Sequence, residues 1–228
     1  MSNKRPNDSS ISGGRPLVYG KKGELAICGR YLVSTEEEII ETREIIRQIN
    51  QRYEGWPEHA RMKSGEIFPT DVVPVLAWEE DAVHPRLFSW GFPRWQGSGV
   101  IINARRETVL EKKMFRQAFL ERRCIIPSHG FYEWKKRAGQ KQKEKYLLRL
   151  PGTPLLYMAG IYTLYRQEGL ELPGFVILTT SASPSVQPIH ERMPVILRPD
   201  EQNNWLRDEI FARRAIEREG PQLEARRA

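Results

Sequence analysis

Cysteine is almost missing: Cys28 and Cys124 are the only two in 228 residues. Two isolated thiols cannot supply a disulfide framework or the paired spacing of a zinc site, so reduced thiols, no metal and no cofactor are expected. Long apolar runs are missing too. No stretch approaches the roughly 18–20 apolar residues of a membrane helix, and residues 1–27 hold no continuous apolar segment of the signal-peptide kind. A cytoplasmic protein with no membrane partner is the resulting expectation. No repeat of fixed period occurs, which leaves out solenoids and arrays.

What is present is enough apolar material, 39% of residues, for one large domain or one domain with tails. The formal charge of +7 suits a partner carrying phosphates, because each neutralised phosphate releases condensed counterions. Charge alone describes many proteins that bind nothing acidic.

Residues 1–23 are rich in Ser, Gly, Pro and Lys and read as a flexible leader, with a single domain over 24–214 and a frayed tail over 215–228. Residues 34–52 predict an amphipathic helix, with Ser34 and Thr35 as N-caps, Glu36 to Glu38 in the first turn and Ile at 39, 40, 45, 46 and 49. Helical spacing returns over 107–122 and 200–214. Between them lie β-branched and aromatic runs broken by Pro and Gly: VVPVLAW, PRLFSWGF, CIIP, GFYEW, YLLRL, LLYMAGIYTLY and GFVILTT. Strands and helices interleave too closely for two domains. The expected fold is a compact α+β domain built on a mostly antiparallel, barrel-like sheet with flanking helices.

Four short stretches gather chemistry near element ends, where functional residues concentrate. They are Cys28-Gly29-Arg30-Tyr31, Ile102-Asn103-Ala104-Arg105-Arg106-Glu107-Thr108, Ser128-His129-Gly130-Phe131-Tyr132-Glu133-Trp134, and Ile177-Leu178-Thr179-Thr180 followed by Ile189-His190-Glu191-Arg192-Met193-Pro194. Together they offer a thiol, an amide, guanidinium groups, a carboxyl and an imidazole, the parts of a nucleophile with its acid–base partners. Taken singly, each has a plainer reading. Cys28 suits a buried small hydrophobe, Glu133 an ion pair, His190 a core hydrogen bond, Asn103 a turn and Arg105 a solvated charge. Cys124, inside CIIP, belongs to the core, and the basic run at 135–145 is a solvated hairpin tip.

The order CGRY, NARRET, GFYEW and IHERMP, with FPT at 68–70, WGFPRW at 90–95 and ILTT, resembles the SRAP family of SOS-response-associated peptidases, the abasic-site processing proteins, from about Cys28 to Leu206. The resemblance implies a monomer of the DNA-damage response that binds single-stranded DNA and captures an abasic site as a thiazolidine. It implies Cys28 as the covalent nucleophile, Asn103 as its positioning partner, Glu133 as the acid–base residue and His190 as the partner in sugar ring opening. It also implies DNA contacts from Arg30, Arg105 and Arg106 to phosphates, from Pro69, Trp90 and Trp95 beside the missing base, and from Thr179. A thiol peptidase without DNA capture and a noncatalytic single-stranded DNA-binding module remain the alternative classes.

A thiazolidine needs an N-terminal cysteine, which alone carries an amine and a thiol on adjacent carbons. Residues 1–27 stand before Cys28, so the resemblance further implies cleavage of the Ile27–Cys28 bond, by the protein itself through the Cys28 thiol.

Overall fold

The computed structural model describes residues 29–33, 40–94, 97–137, 139, 142–165 and 173–228. Cys28, Trp95 and the caps Ser34 and Thr35 lie outside the described residues. The chain runs β1 (Arg30–Val33), α1 (Ile40–Tyr53), α2 (Pro57–Ala60), β2 (Gly65–Ile67), β3 (Val72–Glu79), β4 (Ala82–Trp90), β5 (Phe92–Pro93), β6 (Val100–Ile101) and β7 (Asn103–Arg105). It continues with α3 (Lys113–Glu121), β8 (Arg123–Ser128), β9 (Gly130–Lys135), β10 (Glu144–Arg149), β11 (Leu156–Leu164) and β12 (Pro173–Ser181). β13 (Arg192–Pro194), β14 (Ile196–Leu197), α4 (Gln202–Arg207), α5 (Glu209–Glu217) and β15 (Glu224–Arg227) complete it.

The expected α+β class holds. In the larger sheet β12, β4, β3, β8 and β11 pair in turn, and β11 pairs back to β12, which closes a ring of strands. The ring is pinched, because β12 meets β4 over only two residue pairs and β3 meets β8 over two. Every pairing is antiparallel except those of β12 with β4 and β7. A second sheet has the order β15-β10-β9-β1-β2.

Alternation along the strands decides what each side chain packs on. Phe175 and Ile177 of β12 join a cluster with Tyr31, Phe131 and Leu148 of the five-stranded sheet. Val176 and Leu178, their neighbours, join Phe115 and Phe119 of α3, Trp205 of α4 and Ile216 of α5. With both faces covered, the ring strands become the continuous apolar runs seen in the sequence. Ile49 of α1 is fully buried against Val72 and Leu87.

Tyr31 lies in the shared cluster, and its hydroxyl is buried without a hydrogen-bond partner. Burial also pushes its pKa well up. An unsatisfied buried donor costs about 1–3 kcal/mol, so Tyr31→Phe should stabilise the fold by about 1 kcal/mol in denaturant unfolding. A loss of stability would show that the hydroxyl is satisfied.

β8 and β9 belong to different sheets yet are separated by His129 alone, and Gly130 makes the corner at φ 151°. A Cβ there would stand 2.7 Å from the Leu148 carbonyl oxygen, which is backbone and cannot swing away. Gly130→Ala therefore combines a disfavoured φ with a backbone clash, and should cost about 3 kcal/mol by thermal or denaturant unfolding. A shift below a few tenths would mean that the corner relaxes freely.

Two expected helices are subdivided. The 107–122 segment opens with a single 3-10 turn at Arg106–Thr108, and α3 begins only after Lys112, whose backbone is extended. The 200–214 segment breaks at Asp208, whose carboxylate accepts the Phe211 N–H as the N-cap of α5. The frayed tail expected at 215–228 is not what forms: α5 runs on to Glu217, and Glu224–Arg227 pairs with β10 as an edge strand. Leu223, buried just before it, supplies the apolar anchor. Among the described residues no helix is long and apolar enough to cross a membrane.

Candidate functional site

β1 hydrogen-bonds to β9 in the register Arg30 with Tyr132, Tyr31 with Phe131 and Leu32 with Gly130. Extending that register by one step sets Glu133 level with Gly29, the residue that follows Cys28 in the chain. Glu133 lies on the inward side of β9 with Phe131 and is only 2% exposed. A carboxyl this deep is insulated from bulk water, which strengthens any charge interaction it makes.

The second group forms where β12 leaves β4 and runs parallel to β7, pairing Ile177 with Asn103 and Thr179 with Arg105. Thr179 also faces Pro194 across β13. Arg192 joins these pieces. Its guanidinium reaches both carboxylate oxygens of Glu107, at 2.6 and 3.0 Å, and donates to the Thr179 carbonyl at 2.8 Å. Hydrogen bonding from Arg192 holds the Glu107 carboxyl down at about 2. The stabilisation this gives is complete above the ordinary value of 4.5 and is lost as pH falls toward 2.

The Arg192 backbone N–H donates to Nδ1 of His190 at 3.1 Å, so the neutral ring keeps its proton on Nε2. The same nitrogen stands 3.3 Å from the Arg192 carbonyl, an acceptor for Nδ1–H when the ring is charged. His190 is thus held through Nδ1 by the backbone of one neighbouring residue.

Trp90 ties the two groups together from below. Its ring meets Tyr31 edge-on with centroids 5.0 Å apart and stacks on Phe175 at 6.3 Å, and its Nε1 donates to the Ile102 carbonyl at 3.1 Å. Tyr31 is three residues from Cys28, and Ile102 is the neighbour of Asn103. A continuous chain of contacts therefore runs from β1 to the residue that precedes β7.

The expected DNA contacts divide accordingly. Trp90 is 0% exposed and belongs to the core, not to a stacking surface, because as the last residue of β4 it packs into the shared cluster. Thr179 is buried beside Arg192. Arg106 turns away to donate to the Ile216 carbonyl at 2.9 Å, fastening the end of α5. Arg105 is exposed. Arg30 lies between the rings of Phe68 and Trp134, at 4.6 and 5.0 Å, and pairs with Glu66, which also takes Lys145 at 2.8 Å. Pro69 tops a tight turn in which Asp71 N–H donates to the Phe68 carbonyl and Thr70 has φ 75°, a costly conformation for a β-branched residue.

A profile of the SOS response associated peptidase (SRAP) family matches residues 27–223. The chain belongs to the SRAP family. Among SRAP relatives, the abasic site processing protein YedK of Escherichia coli is 33% identical over 152 residues, covering 66% of this chain and 68% of its own. The abasic site processing protein YoaM of Bacillus subtilis is 34% identical over 189 residues, 79% of each chain. A solved protein of Bordetella bronchiseptica shares the fold with a TM-score of 0.67 at 20% identity, over 88% of this chain and 99% of its own.

Sequence reasoning missed the two residues that brace this SRAP site. Arg192 and Glu107 both sit inside quoted motifs, IHERMP and NARRET, but opposite charges 85 positions apart carry no local sign of pairing. Glu66 left no signal at all, since a lone carboxylate in a short strand reads as solvated.

Proposed function

We propose that this chain is an abasic-site processing enzyme that captures the opened sugar of a base-less nucleotide in single-stranded DNA as a thiazolidine on Cys28. The observation that carries the reading is the register of β1 on β9, which sets a buried carboxyl level with the residue after the cysteine. The names of the relatives agree with it.

An abasic deoxyribose must first open. His190 donates its Nε2 proton to the ring oxygen as the C1′–O4′ bond breaks, and the C1′ hydroxyl passes its proton to the Glu133 carboxylate to leave an aldehyde. The neutral α-amine of Cys28 adds to that carbon, Glu133 returns the proton to the departing hydroxyl so that one water leaves, and the nitrogen gives its proton back to His190 to leave an imine. The Cys28 thiol then adds to the imine carbon. A new S–C bond closes the five-membered ring, and the thiol proton ends on nitrogen. An α-amine has an ordinary pKa of about 7.7–8.0, so a useful fraction is neutral near pH 7, unlike a lysine at about 10.4. Asn103 holds the reacting group by its amide. Arg30 and Arg105 meet phosphates, and Pro69 and Trp95 stand beside the gap left by the base.

The α-amine is released by the protein's own peptidase step. The Cys28 thiol attacks the Ile27 carbonyl, the C–N bond breaks to give a thioester and a free amine, and water hydrolyses the thioester to an Ile27 carboxylate.

Intact mass spectrometry before and after incubation with single-stranded DNA holding one abasic site tests both steps. Loss of residues 1–27, then a gain equal to the DNA minus one water, is the expected result. An unshortened chain with no adduct would leave a noncovalent DNA binder. Turnover of small peptides without DNA would favour a thiol hydrolase.

A further inference from the structure

Glu133 stands on β9 of the five-stranded sheet and His190 lies in the loop that leads into β13 of the larger sheet, so their separation depends on whatever fastens that loop. That loop, residues 183–190, has no regular element. Pro184 and Pro188 remove two backbone donors, and the Ser183 and Val186 carbonyls collect the N–H groups of Val186, Gln187, Ile189 and His190. Such a segment is poorly self-supporting.

The last residues of the chain cross it. Leaving α5, Arg218 makes a two-pronged ion pair with the buried carboxylate of Glu201, at 2.5 and 2.9 Å. Gly220 then passes so close to Met193 that an added Cβ would stand 2.5 Å from its sulfur, and that sulfur accepts the Ser183 N–H at 3.3 Å. Leu223 inserts into the shared core, while its own N–H donates to the Ser185 hydroxyl at 2.9 Å; Ser185 in turn lies 3.1 Å from the Ser183 hydroxyl. From the next residue the arm is a strand on β10, with Arg227 opposite Tyr146, and Tyr146 is opposite Glu133.

We propose that the C-terminal arm, Arg218–Ala228, is a positioning element of the reaction: through Ser185 and Met193 it fastens the His190 loop to the sheet that carries Glu133. The inference rests on the roles given above to those two residues. Misplacing a reacting group by about 1 Å costs on the order of a hundredfold in rate, so a strap that spans both sheets has a direct kinetic effect. A side chain at 220 would press on the Met193 sulfur, and a hydroxyl at 185 is needed to accept the Leu223 N–H.

Ser185→Ala is the mildest probe, since it removes one hydroxyl outside the reacting set. It should slow adduct formation on abasic single-stranded DNA by about tenfold, with affinity for intact single-stranded DNA unchanged, and Ser185→Thr should restore the rate. In a His190→Gln background, Ser185→Ala should cost nothing further, because the loop then carries no imidazole to misplace. Amide hydrogen exchange over Val186–His190 in the full chain should quicken in Ser185→Ala and in a chain ending at Pro221. Wild-type rates and wild-type exchange in both variants would overturn the inference, as would a Ser185→Ala loss that adds in full to that of His190→Gln. Failure of the wild-type protein to form any adduct would overturn the proposed function instead, and quickened exchange would still support the strap.

Discussion

Cys28→Ala should abolish the covalent adduct altogether. The thiazolidine uses two atoms of that residue, and alanine removes the sulfur that closes the ring. It also removes the nucleophile of the self-cleavage step, so the variant should keep residues 1–27 and offer no α-amine at all. The two losses can be separated. A Cys28→Ala chain from which the leader has been cut by an engineered protease site would regain the amine, and would form an imine trapped only when borohydride is present. Stable adduct in Cys28→Ala without reductant would sink the assignment of the cysteine, while a shortened chain in the same variant would sink self-cleavage and leave capture standing.

Glu133→Gln should slow capture by about 100- to 10,000-fold, the usual worth of a positioned proton donor. The substitution keeps the shape of the side chain and replaces its titratable oxygen with an amide. Because Glu133 is almost wholly buried on the inward side of β9, it offers DNA no outside contact, so affinity for intact single-stranded DNA should be preserved. The rate loss then falls on the chemical step, and single-turnover adduct formation reads it directly. A change of less than about twofold would remove Glu133 from the proton path, since glutamine cannot exchange a proton at neutral pH.

Much of the fold was legible, for reasons that differ from element to element. The helix at 40–53 was plain because Ile45 and Ile49 repeat at helical spacing, and the strands because β-branched runs stop at Gly and Pro. The edge strand at 224–227 was hidden. EARR is polar, exposed and short, and it is ordered by pairing with β10 and by the anchor of Leu223 rather than by any pattern of its own. Motif residues were legible as a set, yet their duties were not. Trp90, Thr179 and Arg106 share motifs with the proposed reacting groups, but Trp90 and Thr179 are buried and Arg106 is bonded to the end of α5, which makes all three supports through packing that a linear motif does not carry. Asn103, Glu133 and His190 could be picked out as candidates; that Arg192 orients His190 through its backbone could not, because every residue has the same backbone N–H.

The five-stranded sheet is drawn from residues 30–33, 65–67, 130–149 and 224–227, and therefore from both ends of the described chain. Its outermost strand, β15, follows every strand of the ring in the chain and so is made after them. At roughly 5–20 residues per second, the ring strands exist for seconds before that strand emerges, and long-range pairings of this kind are the slow ones to form. The strands of the ring are thus all made before the outer edge of the smaller sheet, the strand that covers β10 on the side away from Glu133.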